Sequence, residues 1–346
     1  MMRRRWLAGL LAAVLAVALA GCGEKDRADG DPNQVWEEQL FAMDTVMTLT
    51  AYGPGGQDAV AQAVEEIRRL DALWSAENPD SQIARLNRGE DVALSEDTQA
   101  LLGRALEICR ETEGLFDPTI YPLVTLWGFN TDHPKVPDQG DIEAALAAVD
   151  GMSLTLDNGV IDLGEGRAID LGGIAKGYAS ARVMEIFRAH GVTSGIVSLG
   201  GNIQTLGVKP DGSLWRVGIQ DPEDPAGVVG ALSVADRAVI TSGGYERYFE
   251  EDGQRYIHIL DPRTGRPALS DLTSVTVISA DGALADGLST ALYIMGSLEA
   301  AEFWAQRADR FDMILLTVDG QMWATQGVAD QLRTQLPVRV QRVENS

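Results

Sequence analysis

Three dipeptides constrain the architecture of this chain more than any bulk property. Asn158-Gly159, Asp252-Gly253 and Asp319-Gly320 each stand between two short runs of strand-forming residues. Asn-Gly and Asp-Gly readily adopt the left-handed backbone that two-residue hairpin turns require, so each pair of runs is expected to fold back antiparallel. The runs are 154–156 with 160–163, 248–251 with 255–259, and 313–318 with 321–325. Further strands are expected at 41–51, 195–199, 202–208, 215–219, 227–234, 238–241 and 275–279, with Gly200-Gly201 joining the second and third of these. Helical periodicity marks 59–73, 98–112, 141–149, 174–190, 284–295 and 298–307, and a short helix ending at Leu86 follows the capping turn Asn78-Pro79-Asp80-Ser81. Pro118, Pro122, Pro134 and Pro137, interleaved with Phe116, Trp127 and Phe129, predict an aromatic loop that either covers core or stacks on a planar ligand. Helices are interspersed among antiparallel strands instead of alternating with them. That pattern predicts an α+β fold, a mainly antiparallel or mixed sheet flanked by helices, and argues against a doubly wound parallel sheet. A boundary between two lobes is placed near 123–140.

The N-terminus follows different rules. Arg3, Arg4 and Arg5 precede an apolar run from Trp6 to Ala20, which closes in Leu19-Ala20-Gly21-Cys22. A positive start, a short apolar stretch and small residues before a cleavage point make an export signal at 1–21, with an uncleaved signal anchor as the alternative. The Leu-Ala-Gly-Cys ending resembles a bacterial lipobox, which would make Cys22 the acylated first residue of the mature chain. Residues 22–34 are expected to be a flexible tether.

The 346 residues carry a net charge of −23 with 45% hydrophobic content, enough for one large or two ordinary domains. Loss of the three signal arginines makes the mature chain more acidic still. Such a surface repels nucleic acid and anionic lipid, so an anionic ligand would need local help from a metal or from backbone dipoles. Cys109 is the one cysteine besides Cys22, so no disulfide within the mature domain is available; its apolar helical setting predicts a buried small hydrophobe. His133, His190 and His258 are scattered and make no zinc pattern.

Three stretches carry possible chemistry. In Asp170-Leu171-Gly172-Gly173-Ile174-Ala175-Lys176-Gly177-Tyr178, an acid and paired glycines precede a helix that begins with a lysine, one of only four in the chain. Glycines at a helix mouth admit a ligand to the backbone, where the first amides favour an anion; the same residues also suit a plain packing turn. In Ala285-Asp286-Gly287-Leu288-Ser289-Thr290, the Asp286 and Thr290 oxygens share a helix face, which suits a hard cation such as Mg²⁺ or, alternatively, helix capping by Asp286 with Thr290 bonded back to its own helix. In His258-Ile259-Leu260-Asp261-Pro262, a histidine at a strand end is placed either to act as a base in a cleft or to bond a neighbouring carbonyl. The glycine turn Thr241-Ser242-Gly243-Gly244-Tyr245 is expected to line the same cleft. Ser198 lies one residue off a nucleophile elbow, and Gly164-Glu165-Gly166 lacks the third glycine of a dinucleotide fingerprint, so both read as structure.

Taken in order, these pieces resemble the ApbE family of FAD:protein FMN transferases. The resemblance runs from Phe41 to about Gln335. It is carried by Met43-Asp44-Thr45, Pro79-Asp80-Ser81 with Arg85-Leu86-Asn87, Phe116-Asp117-Pro118-Thr119, Pro122-Leu123-Val124 with Leu126-Trp127-Gly128-Phe129, the 170–177 stretch, Ser198-Leu199-Gly200-Gly201, His258 to Pro262, and Asp286 to Ala291. It implies an ApbE-like, T-fold-related domain over 35–340, with two lobes around a flavin cleft as one arrangement. The implied activity is Mg²⁺-dependent transfer of FMN from FAD to a threonine of a membrane redox protein, with release of AMP. An FAD pyrophosphatase and a non-catalytic flavin-binding lipoprotein are the alternatives. Carried over by motif, Asp286, Thr290 and the backbone at Gly173 would hold Mg²⁺. Met43, Leu115, Phe116, Asp117, Asp170 and Lys176 would line the FAD site, and His258 would stand near the reacting phosphate as base for the acceptor hydroxyl. Asp44 departs from the family pattern where many members have glycine, and Glu77 where many have an aromatic residue. The implied location is lipid-anchored through Cys22, facing the periplasm or cell exterior.

Overall fold

The computed structural model describes residues 31–343; the signal segment, Cys22 and most of the tether lie outside them. Nine strands form one sheet whose spatial order follows the chain: β1 (Val35–Ala42), β2 (Thr45–Tyr52), β3 (Gly195–Leu199), β4 (Asn202–Leu206), β5 (Ala238–Gly243), β6 (Leu272–Ser279), β7 (Asp312–Thr317), β8 (Met322–Thr325) and β9 (Val338–Gln341). Neighbours are antiparallel except β8 and β9, which run parallel. The helices are α1 (Gly56–Trp74), α2 (Gln82–Asn87), α3 (Glu96–Glu111), α4 (Tyr121–Trp127), α5 (Gln139–Leu146), α6 (Ala175–Ala189) and α7 (Gly282–Ala305). The α+β expectation holds, and the order reveals a repeat: β1-β2-helices-β3-β4 is followed by β5-β6-α7-β7-β8.

Period-2 geometry explains why the central strands read as unbroken apolar runs. Along β7, Met313 and Leu315 enter the main core beneath α1, α6 and α7, while Ile314 and Leu316 enter a second core on the opposite face. That second core is closed by a small sheet of Trp215–Gln220, Val228–Val234 and Leu332–Thr334, so both faces of β7 are dry. A third cluster packs Leu123 and Trp127, from the segment where a lobe boundary was placed, against Ile142 and Leu260.

Two local expectations are corrected. The single strand at 41–51 is a hairpin, β1 and β2, turned by Met43 (φ 47°) and Asp44 (φ 58°). Both turn residues are left-handed, the geometry of a two-residue hairpin loop, and the pair lacks the glycine that would have marked it. Glycine at position 44 would suit this φ, and aspartate is among the residues that tolerate it. The proline-rich segment is not all loop: α4 carries Pro122 at its start, where a missing N–H costs no hydrogen bond. The two helices expected at 284–295 and 298–307 are both present within α7, divided by non-helical backbone at Gly296 (φ 79°).

Close approach of α6 and α7 depends on glycine. A Cβ built on Gly177 would fall 2.2 Å from the Gly282 carbonyl oxygen and 2.6 Å from Asp286 Cβ, and one on Gly282 would fall 2.4 Å from the Gly177 carbonyl oxygen. Gly177→Ala is therefore expected to destabilise the fold by about 1–3 kcal/mol through overpacking. Gly103→Ala in α3, where the nearest atom is 4.0 Å away, is expected to stabilise it by roughly 0.5–1 kcal/mol through helix propensity. Urea denaturation of both variants checks the opposite signs.

Candidate active site

Antiparallel order brings the β1–β2 turn, the β3–β4 turn and the segment after β5 to one end of the sheet. There they border a cleft of about 1280 Å³, larger than the roughly 300–1,000 Å³ of sites for drug-sized ligands. Met43, Leu115, Phe116, Asp117, Asp170, Gly173, Lys176, His258, Asp286 and Thr290 all line it. The residues selected from sequence thus share one cavity, although they span much of the chain.

The helix mouth and the α7 stretch face each other. Ile174, the residue before α6, provides no side-chain cap. The Gly177 N–H in the first turn instead donates to Asp286 Oδ2 at 2.8 Å. Asp286 is buried, at 5% exposure, and it caps the neighbouring helix while Asp281 caps α7 by accepting from the Leu284 N–H. This rules out the alternative in which Asp286 caps its own helix. A Cβ on Gly173 would lie 3.1 Å from the Phe116 ring and 3.9 Å from Thr290 Oγ1, so the loop runs close beside both, and a side chain there would press on Phe116. Phe116 therefore forms part of the wall behind this loop.

Individual members differ in how free they are. Asp117 accepts from the Thr119 N–H and hydroxyl at 2.8 and 2.6 Å and from the Gly151 N–H at 2.9 Å. Its carboxylate thereby fixes the loop that presents Leu115 and Phe116. Asp170 accepts from the Gly172 N–H at 2.7 Å, and burial pushes its carboxyl above the ordinary range, opposed by that N–H, Lys176 and Arg247. Lys176 Nζ donates to the Gly172 carbonyl at 3.2 Å, folding the ammonium back over the glycine turn. Met43 donates its N–H to Asp71 at 3.2 Å, anchoring the hairpin turn on α1.

His258 follows the strand Gln254–Ile257, as its strand-end placement required. Its Nδ1 lies 3.1 Å from the Arg247 carbonyl oxygen. A carbonyl only accepts, so Nδ1 carries the proton and Nε2 is left with its lone pair. Burial pushes its pKa down to about 4, with Arg247 and Lys176 adding repulsion against the charged form. Glu246 and Arg247 are cleft residues that the sequence reading missed. They follow the Thr241–Tyr245 turn directly, so the signal was the turn itself, extended by two positions. Burial pushes Glu246 up to about 7, against an opposing pull from Lys176.

Charge defines what the cleft can take. Nine acids line it (Asp44, Asp71, Glu77, Asp117, Asp170, Asp221, Glu223, Glu246 and Asp286) against Lys176, Arg247 and Arg255. Among the described residues no group of three or more His, Cys, Asp or Glu side chains is arranged to hold a metal. A cation there must draw on mixed oxygens. Asp286 Oδ1 and the Thr290 hydroxyl make no hydrogen bond among the described residues, and the Thr290 hydroxyl does not bond back to its helix. They meet the Gly173 loop across the cleft, a donor set fit for a hard cation that takes its remaining ligands from a bound anion.

The ApbE family model matches residues 43–315. The chain belongs to the ApbE family. Among curated relatives, the FAD:protein FMN transferase of Treponema pallidum is 32% identical over 95% of each chain. That of Klebsiella pneumoniae is 34% identical over 82% of this chain and 90% of its own. Among solved structures, an ApbE protein from Thermotoga maritima superposes with a TM-score of 0.80 at 31% identity, covering 85% of this chain and 98% of its own. The flavin transferase ApbE from Vibrio cholerae gives 0.77 at 28%, with the same coverage.

The low pKa of His258 has a definite consequence. A histidine depressed in the folded state stays neutral down to about pH 4, while the unfolded chain takes up its proton near 6.5. Its contribution to stability is therefore complete above pH 6.5 and is lost as the pH falls toward 4. NMR titration of the ring is expected to show the Nδ1–H tautomer at pH 7 and a midpoint near 4; a midpoint near 6.5 would contradict the burial argument.

Proposed function

We propose that the protein transfers FMN from FAD to a threonine hydroxyl of an acceptor protein, with Mg²⁺ in the cleft and AMP released. The observation that carries this reading is the facing pair of stretches, with Asp286 bonded to the mouth of α6 and Thr290 and Gly173 beside it. Transfer of FMN from FAD to a protein is the activity named for the curated relatives. In this reading, Met43, Leu115, Phe116, Asp170 and Lys176 line the flavin nucleotide site, and Asp117 holds its loop in place. Asp286, Thr290 and the Gly173 carbonyl would hold Mg²⁺, which would neutralise charge on the pyrophosphate.

The acceptor hydroxyl oxygen forms a bond to the phosphorus of the FMN half. The bond from that phosphorus to the bridging oxygen breaks, and AMP leaves with the oxygen. His258 Nε2, unprotonated and aimed by the Arg247 carbonyl, takes the hydroxyl proton. No external energy source is needed, because the pyrophosphate linkage of FAD supplies the driving force. A neutral base suits this site, since an imidazolium could not accept the proton. We further propose that residues 1–21 are a signal and that acylated Cys22 anchors the enzyme to a membrane, facing outward. A membrane redox subunit is then an acceptor within reach.

The expected result on mixing the chain with FAD, Mg²⁺ and a threonine-bearing acceptor is an FMN adduct on the acceptor by intact mass. AMP release without any acceptor would favour a pyrophosphatase, and unchanged FAD would favour a non-catalytic binder. Asp286→Ala is expected to lower Mg²⁺-dependent transfer by roughly a hundredfold or more, as for other charge-stabilising groups; full activity in that variant would refute the metal assignment. His258→Ala is expected to retain FAD binding while losing roughly 10²–10⁴ in kcat, read by fluorescence titration beside turnover.

A further inference from the structure

The most exposed apolar side chains are not scattered over this protein. Among the described residues seven large hydrophobics exceed 60% exposure, and five of them lie at the end of the sheet where the cleft opens: Leu269 (98%), Phe41 (72%), Leu298 (68%), Val318 (65%) and Val46 (62%). Phe41 and Val46 stand directly opposite each other across the β1–β2 hairpin, next to the turn that forms one wall of the cleft. Along β1 on that face, Glu37 and Gln39 separate Phe41 from Val35 at the far end of the strand, so the apolar spot beside the cleft is set off by polar residues.

The other three are gathered by Asp271. Its carboxylate accepts from the Ser297 N–H at 2.9 Å and from the Ser297 hydroxyl at 2.6 Å, and its carbonyl accepts from the Val318 N–H at 2.9 Å. The break in α7 at Gly296 permits this contact, because a Cβ there would lie 2.8 Å from Asp271 Oδ1. One residue thus ties the start of β6, the break in α7 and the β7–β8 turn together, and the three side chains flanking those points are held outward in water. Isolated exposed apolar groups are ordinary, but a buttressed set beside a cleft marks an interaction surface.

Spacing identifies the occupant. Strands lie about 4.8 Å apart, so the four or five strand steps from β2 to β6 and β7 put roughly 20–24 Å between the two spots. A partner face of about 800 Å² spans that distance. The β3–β4 turn and the segment after β5, both cleft walls, lie between them. A body resting on both spots covers the cleft mouth. The acidic surface disfavours an anionic membrane as that body.

We propose that the acceptor protein docks across this rim, resting on Phe41 and Val46 on one side and on Leu269, Leu298 and Val318 on the other, with its modified residue entering the cleft between them. The proposal rests on the transferase reading. Two variants test it: Leu269→Asp with Leu298→Asp, and Phe41→Asp with Val46→Asp. The probe is the soluble domain of a redox protein to which the wild-type chain transfers FMN, beside a short peptide containing its modified threonine. Each variant is expected to raise KM for the domain by roughly tenfold or more, with kcat, FAD affinity and transfer to the peptide unchanged. An unchanged KM in both variants overturns the proposal. So does a wild-type dimer in sedimentation, or wild-type flotation with phosphatidylglycerol vesicles, that these substitutions abolish while KM for the domain stays the same. A wild-type chain that leaves FAD intact with every domain tried overturns the transferase reading itself; a failure of docking alone shows instead as equal turnover by wild type and variants.

Discussion

One hydrogen bond organises the functional end of this protein: the Gly177 N–H to the Asp286 carboxylate at 2.8 Å. It requires α6 and α7 to cross closely enough that neither Gly177 nor Gly282 can carry a side chain. The same contact satisfies an amide that α6 cannot cap from its own sequence and fixes one oxygen of Asp286. Its other oxygen makes no hydrogen bond among the described residues, and Asp286 lines the cleft together with Thr290 and Gly173. A carboxylate this buried is costly unless it is bonded or faces a cation. The helix mouth supplies half of that compensation, and the cleft must supply the rest.

The acidic balance of the cleft follows from the same logic. A pyrophosphate entering between nine acidic and three cationic side chains would be repelled without a neutralising ion, and on the proposed reading Asp286, Thr290 and Gly173 would hold it. Specificity is then built from two requirements at once. On the proposed reading, a ligand would bring both the anion that completes the cation's shell and a planar or apolar body to lie beside Phe116 and the Met43 turn. Few metabolites combine these, and a flavin dinucleotide is one. On the proposed reading, keeping His258 neutral would serve the same end, because another fixed positive charge would bind phosphate strongly in the ground state without being able to accept a proton.

Much of this was legible in sequence, and the failures have identifiable causes. Asn158-Gly159 and Asp252-Gly253 form the two-residue left-handed turns that their chemistry predicted, while Asp319-Gly320 closes its antiparallel hairpin through a three-residue loop, 318–320, with only Gly320 left-handed. Helix α3 begins where Ser95 caps it, accepting from the Thr98 N–H. The β1–β2 turn was missed because Met43 and Asp44 adopt left-handed backbone without a glycine to announce it. Helix α4 was missed because prolines were read as breakers, although at a helix start proline is neutral. β9 was missed because its pairing is parallel and made by a segment distant from any turn signal. In the site, residue identities were legible but their division of labour was not. Sequence spacing could not tell that Asp117 would spend its carboxylate on Thr119 and Gly151, or that Asp286 would cap another helix instead of its own.

The repeat in the fold explains why the site lies where it does. The first unit, β1 to β4, contributes α6 with its glycine mouth, and the second, β5 to β8, contributes α7 with Asp286 and Thr290. Their sheets join at β4 and β5, and their long helices meet above that seam. Neither unit alone holds both the Gly173 loop and the Asp286–Thr290 stretch that face each other in the cleft. The contact that joins them spans 109 residues, so the loop closed in forming it is long and its entropy must be offset by burial between the units. Assembly of the site and docking of the two halves are therefore the same event. A lesion at the glycine crossing should then act on stability and on the cleft together, whereas one at the exposed rim acts on neither.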